Sequence, residues 1–149
     1  MNTNKIWMRL LMASTLLALL FTTACGMEKA IKGPAEQALA EQGDAFMTSL
    51  KAGDFQAVYE MMSPYAQRDL DMALSSVGSL VDVKGIIKDV GSQIARWTFE
   101  KARVVTINGT SKGTLTGKVV YIDGSSGRVR LEFEEQDGAW KMHSSNFKQ

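Results

Sequence analysis

The stretch LKAGDFQAVYEMMSP, residues 50–64, packs three helix boundaries into a short run. Gly53 suits the left-handed position that ends a helix. Asp54 beside it suits the N-cap of the next, where a short oxygen-bearing side chain satisfies a free backbone N–H. Ser63 and Pro64 repeat the pattern: an N-cap, then a residue whose missing N–H costs nothing in a first helical turn. One helix therefore ends near Leu50. A second carries Phe55, Val58, Tyr59 and Met62 along one stripe, and a third begins at Pro64 and runs to about Leu74.

Upstream, Pro34 opens the first helix. Ala35, Leu39, Phe46 and Leu50 recur on one side of it, with Glu36, Glu41 and Asp44 on the other. Downstream, Gly78, Gly85 and Gly91 interrupt the amphipathic series Leu80, Val83, Ile87 and Val90, so one more short helix is expected between Ser75 and Ser92. After Gln93 the pattern changes. Asn108-Gly109, Asp123-Gly124 and Asp137-Gly138 are hairpin signals flanked by β-branched or aromatic residues, and they divide the segment into strands near 94–107, 113–123, 127–136 and 139–147. The third strand, GRVRLEFEEQ, puts Val129, Leu131 and Phe133 on one side and Arg128, Arg130, Glu132 and Glu134 on the other. Such alternation predicts an antiparallel sheet with one face in the core and one in water. Gly117 marks a bend in the second strand. The fold class is thus α+β, with N-terminal helices packed on a curved four-stranded antiparallel sheet.

The order of these elements, the stretch at 50–64 and the closing DGAWKM resemble the nuclear-transport-factor-2-like superfamily, also called cystatin-like, over residues 34–149. The resemblance implies a cone-shaped domain. It does not choose a function, because the superfamily includes isomerases, dehydratases, polyketide cyclases, transport adaptors, secretion-system scaffolds and lipoproteins. Its ketosteroid-isomerase-like enzymes use an oxyanion-hole tyrosine from the first helix and a carboxylate base on an early strand. Here the first helix has no tyrosine, and Asp69 and Asp71 fall on a helix, where they are expected to face solvent. Asp123 and Asp137 belong to turns, and Glu132 and Glu134 to the wet side of a strand. No catalytic residue is assigned, and catalysis as an isomerase, dehydratase or cyclase stands as the alternative reading.

Residues 1–24 read as a targeting segment. Lys5 and Arg9 precede an apolar run from Leu10 to Phe21, which is too short to span a bilayer as a helix, and small residues follow. Thr22-Thr23-Ala24-Cys25 resembles a bacterial lipobox, with Thr22 where the family usually has Leu. The resemblance implies that Cys25 is acylated, with palmitate among its chains, and becomes the lipidated N-terminus of the mature chain, followed by a tether over 25–33. Gly26 after the cysteine hints by analogy at the outer membrane, if there is one. Ordinary secretion with a free Cys25 is the competing reading. As the sole cysteine of the chain, Cys25 allows neither an intramolecular disulfide nor a thiolate metal cluster.

Residues 25–149 carry a net charge of −1, which gives no case for nucleic acid. With a single histidine, His143, a multi-histidine metal site is excluded, and simple alternation places His143 on the surface with Lys141 and Ser145, opposite Trp140 and Met142. No cofactor is expected. Tyr59, Met62, Tyr65, Trp97, Tyr121 and Trp140 are the candidates for lining the open end of a cone, the competing reading being core and rim packing. The Arg128–Glu134 ladder is expected to pair with Lys118 and Lys141 across the sheet or to meet a second molecule. Together these features predict a lipid-anchored extracytoplasmic binding or scaffold domain. Its partner would be a small apolar ligand, an envelope protein or a second copy of the chain.

Overall fold

The computed structural model of the chain describes residues 31–77 and 83–148. The expected targeting segment, Cys25 and most of the expected tether, together with Gly78 and Leu80, lie outside the described residues. Four helices precede four strands: α1 (Pro34–Ala52), α2 (Phe55–Met61), α3 (Pro64–Val77), α4 (Val83–Gln93), β1 (Ile94–Ile107), β2 (Thr110–Tyr121), β3 (Ser126–Gln136) and β4 (Ala139–Lys148). The strands form one antiparallel meander in the order β1-β2-β3-β4.

The 50–64 stretch folds by its local chemistry. Gly53 has φ +68°, its N–H donates to the Leu50 carbonyl, and the Asp54 N–H reaches back to Ser49. This pair of bonds satisfies carbonyls that the helix end leaves free, in a conformation that a Cβ would strain. Asp54 then caps α2 by accepting from the Ala57 N–H at 3.1 Å. Ser63 caps α3 through the Ala66 N–H at 3.2 Å, and it also ties the helices to the sheet. Its own N–H donates to the Met142 carbonyl at 2.7 Å, and Met62 forms an isolated parallel bridge with Met142. The Met62–Ser63 segment is thereby a short stub alongside β4.

The core lies between α1 and one face of the sheet. Leu39, Phe46, Met47 and Leu50 of α1 meet Phe99, Leu115, Val119, Val129, Leu131 and Phe133, with Val58, Ile94 and Met142 closing the ends. Full burial of each such side chain contributes roughly 1.5–3 kcal/mol. The expected α1 stripe is corrected at one end: Ala35 is exposed, and Gly43 and Met47 are buried instead, because the sheet crosses the helix further along.

The turns at 108–109 and 137–138 have positive φ at both residues, 51° and 81°, then 51° and 78°. That geometry lets pairing resume at once, so β2 begins at Thr110 rather than near 113. The bend expected at Gly117 is present. The register of β1 slips between Phe99 and Lys101, opposite Gly117, and a Cβ at 117 would strike the Thr98 carbonyl oxygen. β1 slips again between Ile94 and Arg96, and β4 slips at His143, with no glycine opposite to announce either.

Candidate functional site

The register separates the two faces of the sheet. Val129, Leu131 and Phe133 are buried under the helices, so Arg128, Arg130, Glu132 and Glu134 project from the helix-free face. Cross-strand neighbours share a side. Arg128 stands between Lys118 and Lys148, Arg130 between Thr116 and Asn146, Glu132 between Thr114 and Ser144, and Glu134 between Lys112 and Lys141. On β1 these rows end in Thr98, Lys101, Arg103 and Val105, and Arg96 lies one row further out, opposite Val120. Every Lys and Arg between residues 94 and 148, nine in all, therefore stands on this face, against the three carboxylates Glu100, Glu132 and Glu134. Apart from Lys141 the cations are exposed, whereas the glutamates are partly buried.

The row Lys148, Arg128, Lys118 sets three cations side by side, an arrangement that weakens a sheet. Relief comes at one end only, where Lys118 reaches Glu100 at 3.2 Å. This corrects the expected pairing of the ladder with Lys118: the residue opposite is Arg128, a like charge. Lys141 does stand opposite Glu134, but its Nζ donates to the Glu60 carbonyl at 2.9 Å, fastening β4 to α2. Glu132 is held by Arg130, at 2.8 and 3.0 Å, and accepts from Ser144 Oγ at 2.9 Å. The Ser144 bond, then Arg130, keep its carboxyl below the usual range, so it stays ionised and pins one of the arginines.

A groove of about 710 Å³ runs along these rows, lined by Lys101, Thr116, Arg128, Arg130, Ser144 and Lys148 among others. A smaller one of about 330 Å³ lies towards Val105, Lys112, Glu134 and His143. Arginine forks and lysine ammonium groups beside hydroxyls recognise anionic oxygens.

The helix-facing side offers different material. Among the described residues, Ser63 is the one buried polar side chain, and no carboxylate is buried. No group of three or more His, Cys, Asp or Glu side chains among them is placed to hold a metal ion. Asp71 is exposed and accepts from Tyr59 Oη at 3.0 Å, a bond that raises the tyrosine's pKa. Asp69 is exposed, and Asp123 is held in its turn by the Ser125 N–H, below its usual pKa through its bonds with Ser125.

The six candidate lining residues are dispersed. Met62, Trp97, Tyr121 and Trp140 pack against the core cluster. Trp97 Nε1 donates to Asp44 of α1 at 2.8 Å, and Tyr65 is 55% exposed. None of the six is among the residues lining either groove. The surface assignment of His143 is corrected. The slip in β4 makes it the extra residue between Met142 and Ser144, its ring stacks on Tyr65 at 5.0 Å, and it is half-buried, with Nδ1 shielded and without a hydrogen-bond partner. Past the slip, Ser145 pairs with Leu131 and Phe147 with Val129, the reverse of simple alternation.

The alternation of β3 singles out Arg128 and Arg130. Sequence reasoning misses Arg96, Lys101, Arg103, Lys112 and Lys148. Their side of the sheet depends on the register and, on β1 and β4, on the slips, for which the sequence carries no marker beyond Gly117.

No protein-family model matches the chain, and no curated protein matches it. Solved structures similar to it include a five-substitution variant of a chain named Rd1NTF2_05, at 10% identity and TM-score 0.49 over 75% of this chain and 98% of that one. A proposed aromatic ring hydroxylase from Novosphingobium aromaticivorans is 18% identical, with TM-score 0.47 over 78% of this chain and 91% of its own. A proposed dehydratase of the NTF2-like family from Streptomyces avermitilis is 15% identical, with TM-score 0.47 over 73% and 91%. Likeness at these levels does not bear on activity.

Proposed function

We propose that this chain is a lipid-anchored, extracytoplasmic binding domain of nuclear-transport-factor-2-like build, and that it binds through the helix-free face of its sheet without catalysis. The observation that carries the reading is the row Lys148, Arg128, Lys118 beside the 710 Å³ groove. Side-by-side cations oppose folding, so their concentration around the larger concavity is explained by a ligand rather than by the fold. The helix-facing side supports the same division of labour, because its described interior holds apolar side chains and a single capping serine. Acid–base chemistry of the isomerase type needs a positioned carboxylate there.

The anchor rests on Thr22-Thr23-Ala24-Cys25 after the basic and apolar run. Among the described residues no helix is long and apolar enough to cross a membrane. Two or more acyl chains on Cys25 make attachment stable. In cells fed labelled palmitate the full chain is expected to take up label and sediment with membranes, and Cys25→Ser to lose the label. A Cys25→Ser chain that still carries label would overturn the lipoprotein reading.

A further inference from the structure

We infer that the cationic sheet face is a docking surface for the anionic phospholipid headgroups of the membrane to which the chain is tethered. The inference rests on the proposed anchor for proximity and on the sheet for chemistry. Eight exposed cations face three carboxylates across all four strands, the ninth, Lys141, being bonded to the Glu60 carbonyl, and two of those carboxylates are committed to Lys118 and Arg130. The cations do not converge on one point, as they would around a single small ligand. They are spread in rows at strand spacing, close to 5 Å apart across the sheet, which suits a lateral array of singly charged phosphates.

The rest of the molecule leaves this face free to act. Helices pack on the opposite side, and residues 31–93 hold nine carboxylates to five cations. The molecule is therefore polarised, and a negative surface turns it sheet-first. Ile31 already packs against the core, so the chain from Cys25 to Ile31 spans at most roughly 20 Å. A short tether of that kind keeps the domain beside the leaflet, whose surface potential acts over about one Debye length, roughly 8 Å in physiological salt, on the face that turns towards it. The groove then receives headgroup phosphates between Lys101, Arg128, Arg130 and Lys148, with Thr116 as a hydroxyl donor.

The test uses the full chain carrying Cys25→Ser, so that lipidation plays no part and failure of the anchor reading leaves the result intact. Binding to vesicles of phosphatidylcholine alone is compared with binding to equimolar phosphatidylcholine and phosphatidylglycerol; the apolar run before Cys25 contributes to both. Expected is a preference of roughly tenfold or more for the anionic vesicles, lost between about 0.05 and 0.5 M salt. The pair Lys101→Glu and Arg128→Glu should remove most of that preference. Lys84→Glu with Lys88→Glu on α4, the same change in net charge, should leave it in place. If the first pair disturbs the circular dichroism, Lys101→Gln with Arg128→Gln is used and a partial loss is expected. Absence of any preference, or equal loss from both pairs, would overturn the inference. So would tight binding of soluble polyglutamate without anionic-vesicle preference, which would assign the face to an acidic protein.

Discussion

Arg128 has opposite values for folding and for binding. It lies between Lys118 and Lys148 with no carboxylate of its own row to offset it, and it lines the larger groove. Arg128→Glu would set one anion between two cations, turning two unfavourable cross-strand neighbours into favourable ones. Each such pair is worth roughly 0.2–1 kcal/mol. Urea unfolding at low ionic strength should therefore show Arg128→Glu to be more stable than the unmodified chain, while the same substitution weakens attachment to anionic vesicles. A destabilised variant would mean that the row is relieved by bonds other than these. Arg130 differs, because Glu132 holds it from one side and Ser144 holds Glu132 in turn. It is a pre-oriented guanidinium, whereas Arg128 is an unpaired one. The alternation of β3 shows both residues at the sequence level, but not this distinction, which depends on what stands opposite.

Among the elements, the helices and hairpins were legible because their boundaries are local. A glycine at φ +68° beside a capping aspartate, or an Asn-Gly pair with both φ positive, acts within four residues of chain. Slips in register are not local in that sense. The one between Phe99 and Lys101 in β1 is accommodated by Gly117 on β2, where the Thr98 carbonyl fills the place of a side chain. Gly117→Ala should thus cost about 1–3 kcal/mol by overpacking, read as a lower urea midpoint. An unchanged midpoint would show that the sheet bends without that close approach. The slip at His143 lacks any such partner, and it turns Ser144, Asn146 and Lys148 towards the groove. Half the candidate site was therefore unreadable: strict alternation along β4 assigns these three residues to the wrong side.

Across the whole molecule, the net charge of −1 over residues 25–149 hides an acidic helical half and a cationic sheet face. A sum cannot report how charge is distributed, and the distribution here follows only from knowing which side of each strand is buried. The same distribution bears on self-association. A second copy seated face to face on the sheet would bring two surfaces of eight exposed cations each together, so the expectation of a dimer through this face loses its electrostatic support.

The tie between Ser63 and the Met142 carbonyl also bears on the order in which the chain folds. The meander can close strand by strand through turns of a few residues, each at small entropic expense. The Ser63 contact closes a loop of about eighty residues and needs β4 already in place. The start of α3 is accordingly among the last parts to dock. Ser63→Ala keeps that backbone bond but deletes the side-chain cap on Ala66 that starts α3, so in stopped-flow mixing experiments it should accelerate unfolding and leave the folding rate nearly unchanged. A slowed folding arm would place the capped start of α3 in the nucleus, and the sheet would then assemble around the helices rather than before them.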